Sequence, residues 1–140
     1  MQSKPQVKLT CSYSFCVAHQ LTRADWTPEK NREVFGHCAN IHGHQYKIDL
    51  HLEGRLSSKT GMLINGYEVD KIVKPFFTKN FDHKFLNQDV AFFKDHQPTA
   101  EWISVWIFDE LKNKFPEFVK LKQVSVYETP ELKVSYQGQI

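Results

Sequence analysis

Apolar and polar residues alternate along two long stretches of the chain, at residues 7–15 and 46–53. In an extended strand this period-two pattern places the apolar side chains on one face. Two further strands are predicted at residues 121–127 and 132–136. A polar, irregular stretch at residues 23–36 separates the first two strands. We interpret it as a loop or one short helix.

Two helices are predicted between these pairs of strands. Apolar residues recur at helical spacing from Val69 to Phe77, and we expect a kink or an early break at Pro75, which lacks a backbone donor. The second helix follows Thr99, a predicted N-cap, and its apolar stripe extends to Phe115. Such a stripe is more often core than cofactor site, and we interpret it as core.

The order strand, strand, helix, helix, strand, strand indicates an α+β fold. It predicts a four-stranded antiparallel sheet with both helices on one face. The length of 140 residues is enough for one domain with its own core, and no repeat or linker divides it. We therefore assign residues 1–140 to a single domain. The open edges of the sheet have to be covered or paired, so we expect association with other copies.

Composition excludes several classes of protein. The content of 41% hydrophobic and 14% aromatic residues indicates a folded globule, and a net charge of +2 gives no basis for a nucleic-acid or membrane partner. The sequence contains neither a signal-peptide core nor an apolar run that could span a bilayer. The 3 cysteines are an odd number that does not fit a secreted disulfide framework. We therefore expect a reduced, cytoplasmic protein.

The strongest chemical signal is the segment at residues 38–44, where Cys38 precedes His42 and His44. Alternate residues of a strand point to the same face, so the two imidazoles can bind one ion. His19 lies at the end of the first strand, which we expect to pair with the strand carrying His44. Three imidazoles suit zinc better than calcium or magnesium. A catalytic zinc ion keeps a fourth position open.

Two roles are open for Cys38. As a fourth ligand it would close a structural zinc site. As a thiol made acidic by nearby positive charge, it would act as a base or a nucleophile. Cys11 and Cys16 fall on strand positions, and we interpret them as packing residues.

Acidic residues and a further histidine form a second group of candidates. Asp82 precedes His83, either as part of a helix end or to orient a proton relay to Cys38. Glu101 lies in a first helical turn, where the helix dipole favours a carboxylate in any case. Glu128 has the parity of the apolar positions of its strand, so its carboxylate needs a polar partner. A ligand with a guanidine-like N–C–N edge would fit it.

Six motifs, in order along nearly the whole chain, resemble the 6-pyruvoyltetrahydropterin synthase/6-carboxytetrahydropterin synthase family. They are Phe15-x-x-Ala18-His19, Cys38-x-x-x-His42-Gly43-His44-x-Tyr46, Thr60-Gly61-Met62, Phe81-Asp82-His83-x-x-Leu86-Asn87, Pro98-Thr99-x-Glu101 and Tyr127-Glu128-Thr129. The resemblance implies the tunnelling fold, in which the sheets of neighbouring copies join edge to edge into a barrel. It also implies a homohexamer of two stacked trimers.

The same resemblance implies a role for each candidate residue and a substrate, 7,8-dihydroneopterin triphosphate. The zinc ligands would be His19, His42 and His44. The residues that transfer protons would be Cys38, Asp82 and His83. The residues that hold the pterin would be Glu128, Glu101 and Thr99.

The product distinguishes two branches of the family. The spacing of Cys38 and His42 resembles the carboxy-forming enzymes of queuosine and deazapurine biosynthesis, which release acetaldehyde and triphosphate and form 6-carboxy-5,6,7,8-tetrahydropterin. Asn65 resembles instead the animal enzymes, which form 6-pyruvoyltetrahydropterin for tetrahydrobiopterin. We favour the carboxy-forming reaction, with the pyruvoyl-forming reaction as the alternative. A non-enzymatic, zinc-stabilised pterin-binding protein is a third hypothesis.

Overall fold

A four-stranded antiparallel sheet with the order β1-β2-β3-β4 forms the centre of the computed structural model, which describes residues 4–139. The strands are β1 (Gln6–His19), β2 (His42–Arg55), β3 (Lys120–Thr129) and β4 (Leu132–Tyr136). The α+β fold predicted from the alternating patterns is confirmed. The two long strands extend beyond those patterns, and each contains 14 residues. This extension brings His19 and His42 into the sheet.

Helices connect the strands. They are α1 (Pro28–Phe35), α2 (Gly66–Asn80), α3 (Leu86–Asp89), α4 (Phe92–Asp95) and α5 (Ala100–Leu111), and a 3-10 turn (Gly36–Ala39) follows α1. α1 begins where the Thr27 side chain accepts a hydrogen bond from the backbone of Lys30, so the polar stretch contains the short helix that was one of its two interpretations. Within residues 4–139, no helix is long and apolar enough to cross a bilayer.

α2 does not end early at Pro75. It continues to Asn80, and Pro75 itself is exposed. Phe76 and Phe77, which follow the proline, are 6% and 0% exposed, so core packing outweighs the missing backbone donor. Of the two outcomes expected at Pro75, a kink or an early break, the early break was therefore wrong.

α5 begins at the predicted N-cap. The Thr99 hydroxyl accepts from the backbone N–H of Trp102 at 3.2 Å. The helix ends at Leu111, before the end of the predicted stripe at Phe115. Phe115 still packs against the core as a partly buried side chain, which explains why its spacing resembled that of a helix.

α2 and α5 pack against one face of the sheet and enclose one core. The Phe77 ring of α2 lies 4.7 Å from the Phe15 ring of β1, and the Phe108 ring of α5 lies 5.3 Å from the Tyr136 ring of β4. The inward side chains of β2 are fully buried: Tyr46, Ile48, Leu50 and Leu52. Because His42 and His44 share this alternation with Tyr46, the core face also carries the candidate chemistry.

The opposite face of the sheet is polar and has its own hydrogen bonds. Thr10 Oγ1 lies 3.2 Å from His51 Nδ1, and His51 Nε2 lies 3.2 Å from Ser125 Oγ. Ser125 Oγ lies 2.8 Å from Ser135 Oγ. These contacts join all four strands, so this face is stabilised by polar contacts rather than by a second apolar layer.

Candidate metal centre

The pairing of β1 with β2 brings three histidines together at one end of the sheet. His19 lies directly opposite His42, and Val17 lies opposite His44. Residues that face each other across antiparallel strands point to the same side. The ring centres are 4.5 Å apart for His19 and His42, 5.2 Å for His19 and His44, and 4.9 Å for His42 and His44. The pairing predicted for these strands is confirmed.

Glu128 joins the three histidines at the end of β3. One ligand atom from each of His19, His42, His44 and Glu128 lies within 4.8 Å of all the others. Imidazole nitrogens and a carboxylate oxygen form a donor set that zinc accepts. In the described part of the chain this group does not include the thiol of Cys38.

Backbone carbonyls fix the tautomers of two of the rings. His19 Nδ1 lies 2.7 Å from the carbonyl oxygen of Pro98, and His42 Nδ1 lies 2.7 Å from that of Asn40. A carbonyl oxygen only accepts, so each Nδ1 carries the proton and donates it. The Nε2 atom of each ring is therefore unprotonated, so that its lone pair can bind a metal ion. Metal-binding histidines commonly donate their other ring N–H to a backbone carbonyl in this way.

The ring of His44 indicates whether a metal ion fits the site. His44 Nε2 is buried and has no hydrogen-bond partner among residues 4–139, although Glu128 Oε1 is 3.1 Å away. A buried polar atom without a partner is unfavourable unless an ion, a ligand or water satisfies it. An ion at the centre of the donor set would satisfy this nitrogen, so the residues present fit zinc.

Burial keeps two of the imidazoles in the form that binds a metal. Burial lowers the pKa of His19 to about 4, partly opposed by the hydrogen bond to Pro98 and reinforced by the two neighbouring imidazoles. Burial also lowers the pKa of His44, and the Glu128 carboxylate opposes this effect. Because a metal ion binds neutral imidazole, both rings are ready as ligands at neutral pH.

The hydroxyl of Tyr46 lies against the same cluster, and sequence reasoning gave it no role beyond its place in a motif. It is 3.2 Å from Nδ1 and 3.3 Å from Nε2 of His19, in a side chain that is 0% exposed. Burial raises the pKa of Tyr46, and electrostatic interactions with Glu128 and Cys38 add to this. Tyr46 is therefore a protonated donor at neutral pH. Its parity with His42 and His44 is the signal that could have identified it.

Cys38 lies beside the centre in the 3-10 turn Gly36–Ala39, as a free, half-buried thiol. The backbone N–H of Leu21 donates to the Cys38 carbonyl at 2.8 Å, which holds the turn against the segment that follows His19. The turn thus lies beside the end of β1, and the thiol is not part of the ligand group of the histidines among the described residues.

Asp82 and His83 form a hydrogen-bonded pair. His83 Nδ1 lies 2.9 Å from Asp82 Oδ1, and the His83 backbone N–H donates to the Cys16 carbonyl at 2.7 Å. His83 has a φ of 59°, in the left-handed region that a non-glycine residue rarely adopts. Its side chain is 77% exposed and, among the described residues, has no hydrogen bond to Cys38. The structure forms the hypothesised pair but does not connect it to the thiol.

The three predicted pterin-binding residues lie in different surroundings. Glu128 is in the histidine cluster. Thr99 caps α5 directly after Pro98, whose carbonyl orients His19. Glu101 is exposed in the first turn of α5.

Comparison with known proteins identifies the family. The profile of the 6-pyruvoyl tetrahydropterin synthase family matches residues 8–139. The chain belongs to the 6-pyruvoyl tetrahydropterin synthase family. The family resemblance inferred from the six motifs is confirmed.

Individual relatives carry two names. The 6-pyruvoyl tetrahydrobiopterin synthase of Homo sapiens is 35% identical over 136 residues, covering 96% of this chain and 93% of the relative. The enzyme of the same name from Drosophila melanogaster is 32% identical over 140 residues, covering 99% and 83%. The 6-carboxy-5,6,7,8-tetrahydropterin synthase of Haemophilus influenzae is 27% identical over 150 residues, covering 93% and 98%.

Solved structures of the family share the fold. The 6-pyruvoyl tetrahydropterin synthase of Caenorhabditis elegans has a TM-score of 0.88 at 31% identity, covering 99% of this chain and 100% of that one. The single-chain architecture of the tunnelling fold, a four-stranded antiparallel sheet with helices, is therefore confirmed.

Proposed function

We propose that this protein is a zinc-dependent lyase that eliminates triphosphate from 7,8-dihydroneopterin triphosphate and forms 6-pyruvoyltetrahydropterin. The main support is the candidate metal centre, where Nε2 is unprotonated in His19 and His42, and Nε2 of His44 is buried without a hydrogen-bond partner among residues 4–139. The two relatives described as pyruvoyl enzymes are 32–35% identical, against 27% for the carboxy enzyme. This reverses the order in which the sequence favoured the two reactions.

Proton transfer is assigned to three side chains. Zinc bound by the histidines would stabilise negative charge that develops on oxygen atoms of the substrate side chain. Cys38, as a thiolate, takes a proton from the substrate. His83, oriented by Asp82, protonates the other face of the pterin, and triphosphate leaves.

The pterin is held by carboxylates and a hydroxyl. Glu128 accepts two parallel hydrogen bonds from the N–C–N edge of the ring, a geometry in which a carboxylate binds strongly. Glu101 and Thr99, at the start of α5, complete the contacts to the substrate.

Assembly into a homohexamer of two stacked trimers belongs to the same proposal. The sheet order leaves one side of β4 without a partner strand among residues 4–139. The outer side of β1 also lacks a partner strand, except at residues 16–18, which bond to the segment at residues 83–85. Open edges of this kind are suited to pairing with other copies. A cytoplasmic location agrees with Cys11, Cys16 and Cys38, which are all free.

The carboxy-forming reaction is the second candidate, because only three residues separate Cys38 from His42, as in enzymes of that branch. The two reactions differ in one volatile product. Zinc-loaded protein incubated with 7,8-dihydroneopterin triphosphate should release triphosphate without acetaldehyde. Acetaldehyde in equal amount to triphosphate would assign the carboxy-forming reaction. Release of neither compound would overturn both lyase proposals.

Replacement of Cys38 separates catalysis from a purely structural zinc site. Cys38→Ala should abolish turnover while the protein keeps its zinc and its fold. The matched control is Cys16→Ala, since Cys16 is exposed on β1, where its thiol donates to Gln45. This control should keep its turnover. Loss of both zinc and folded structure in Cys38→Ala would favour the non-enzymatic hypothesis.

A further inference from the structure

We propose that three carboxamide side chains fix the position of the Cys38 thiol for the reaction. They belong to Asn31, Asn87 and Gln97, and together we call them the carboxamide clasp. The inference rests on the proposed function, in which Cys38 takes a proton from the substrate. Asn87 ends the motif at residues 81–87 and has no role in that reaction so far. The clasp would act through the backbone, so its members are positioning residues.

The first support is the way in which Asn87 binds the segment at residues 20–23. This segment follows β1 and belongs to no strand or helix. Asn87 Oδ1 accepts from the backbone N–H of Gln20 at 2.8 Å, and Asn87 Nδ2 donates to the Gln20 carbonyl at 2.7 Å. A carboxamide presents an acceptor and a donor side by side, so it can bind both backbone groups of one residue as a neighbouring strand does. The Asn87 side chain thus replaces a strand partner for Gln20.

The same double contact occurs twice more along this segment. Gln97 accepts from the backbone N–H of Thr22 at 3.3 Å and donates to the Thr22 carbonyl at 2.7 Å. Asn31 accepts from the backbone N–H of Arg23 at 2.8 Å and donates to the Arg23 carbonyl at 3.0 Å. Asn31 is only 7% exposed, so water competes little for its bonds. Side chains from α1, from α3 and from the loop before α5 therefore fix one short segment.

The second support is that this segment binds the turn that carries Cys38. The backbone N–H of Leu21 donates to the Cys38 carbonyl at 2.8 Å, and Gln20 Nε2 donates to the Ala39 carbonyl at 2.8 Å. The turn Gly36–Ala39 contains no buried residue. Hydrogen bonds rather than core packing therefore set its position. Because Gln20 is itself bound by Asn87, the place of the turn depends on the clasp.

Proton transfer makes this position important. An acid or a base has to lie within hydrogen-bond reach of the proton that it moves. A displacement of about 1 Å can lower a rate by about a hundredfold. The clasp contacts the backbone of residues 20–23, which in turn binds the carbonyl of Cys38 and leaves its thiol available for the reaction. It would therefore affect the chemical step and leave substrate binding largely unchanged.

Steady-state kinetics of Asn87→Asp test the inference. The carboxylate still accepts from the Gln20 N–H, but it replaces the donor with a second acceptor that faces the Gln20 carbonyl. The kcat for triphosphate release should fall about tenfold to a hundredfold, while KM stays within about twofold of the wild-type value. An unchanged kcat, or a loss confined to KM, would overturn the proposal.

The matched control is Asn65→Asp. Asn65 Oδ1 accepts from the backbone N–H of Tyr67 at the start of α2, and an aspartate accepts equally well there. This variant introduces the same charge outside the clasp and should keep the wild-type kcat.

A second variant tests the clasp from a different element. Asn31→Asp loses the donor to the Arg23 carbonyl and should also lower kcat at an unchanged zinc content. Thermal unfolding and elemental analysis show whether each variant is folded and loaded with zinc. If Asn31→Asp and Asn87→Asp both fail to fold, the carboxamides serve the fold alone and the proposal is wrong. Loss of zinc together with kcat would also overturn it, because the clasp would then act on the metal ligands.

Alkylation of the thiols provides a measurement that does not require turnover. Iodoacetamide should modify Cys38 severalfold faster in Asn87→Asp than in the wild type, because a half-buried thiol becomes more accessible when its turn is released. Cys11, which is also half-buried, is the internal control and should react at the same rate in both proteins. Mass spectrometry of the peptides assigns each modification. An equal rate at Cys38 in the two proteins would contradict the clasp.

Failure of this inference differs from failure of the proposed function. An Asn87→Asp protein with the kcat and the Cys38 alkylation rate of the wild type contradicts the clasp and leaves the lyase intact. A wild-type protein that releases no triphosphate, although Asn87→Asp still exposes Cys38, contradicts the proposed function itself.

Discussion

At the scale of single residues, His19 combines a buried position with a fixed tautomer. Its Nδ1 donates to Pro98, and its other nitrogen faces the neighbouring histidines. Burial lowers the pKa of His19 to about 4, so the folded state resists protonation of this ring. The His19 ring is therefore neutral at neutral pH and can bind a metal ion. Protonation of this ring at low pH destabilises the metal-free folded protein.

The stability of the metal-free protein should fall as the pH is lowered from 7 to 5. The unfolded chain takes up the proton of His19 near pH 6.5, whereas the folded chain does so near pH 4. The unfolded state thus binds more protons in this range, and the free energy of unfolding falls by about 2 kcal/mol through His19. Urea unfolding at several pH values measures this decrease in the free energy of unfolding. His19→Gln should show a shallower dependence, and parallel curves for the two proteins would contradict this account.

Removal of the Tyr46 hydroxyl should weaken the fold without removing the metal ligands. In metal-free protein, Tyr46→Phe should lower the free energy of unfolding by about 1 kcal/mol, because a buried hydrogen bond to His19 is lost. The control is Tyr67→Phe, in a side chain that is 78% exposed, which should change stability by less than about 0.5 kcal/mol. Urea unfolding measures both changes in the free energy of unfolding. Equal stability of Tyr46→Phe and the wild type would show that the hydroxyl contributes nothing.

Residue types and parity are sufficient to predict the histidine cluster but not what surrounds it. His42 and His44 share a face because they are alternate residues of one strand. The carbonyl groups of Pro98 and Asn40 that orient the rings have no sequence signal, since every residue has a carbonyl. Likewise, the contact between Glu128 and His44 depends on strands far apart in sequence.

At the scale of elements, tertiary packing outweighs local helix propensity. α2 continues through Pro75 because the phenylalanines after it are buried. The two long strands follow their alternation closely, since apolar residues at every second position are what a one-sided sheet requires. Strand positions were therefore predictable, whereas helix ends depended on tertiary contacts.

The end of β2 lies so close to a neighbouring segment that a side chain does not fit there. A Cβ at Gly54 would lie 2.5 Å from the Leu63 side chain and closer still to the Phe118 carbonyl. Gly54→Ala should therefore lower the free energy of unfolding by about 1–3 kcal/mol. Gly66→Ala is the control, because at Gly66 no atom lies within 4 Å of the added Cβ. Thermal unfolding compares the variants, and an unchanged melting temperature in Gly54→Ala would contradict the close packing.

At the scale of the whole molecule, the sheet has an apolar face under the helices, a polar face and two open edges. The fold class and the pairing of β1 with β2 followed from the sequence of elements, because antiparallel neighbours in the chain usually pair in space. The polar face is linked across its strands by contacts such as that between His51 and Ser125. The metal centre lies at one end of the sheet and uses side chains from β1, β2 and β3.

The proposed assembly predicts the mass of the protein in solution. Light scattering coupled to size exclusion should give six times the chain mass of 16.4 kDa, because pairing of β1 with β4 of neighbouring copies removes both open edges. A mass equal to one chain over the whole accessible concentration range would contradict the assembly.

The metal content of purified protein tests the central claim, that three histidines bind one zinc ion. Wild-type protein loaded with zinc and then desalted should retain one zinc ion per chain by elemental analysis. His42→Ala should retain almost none, whereas His51→Ala, on the opposite face of the sheet, should retain the wild-type amount. A wild-type protein without zinc, or a His42→Ala protein with its full zinc content, would contradict the metal centre on which this account is built.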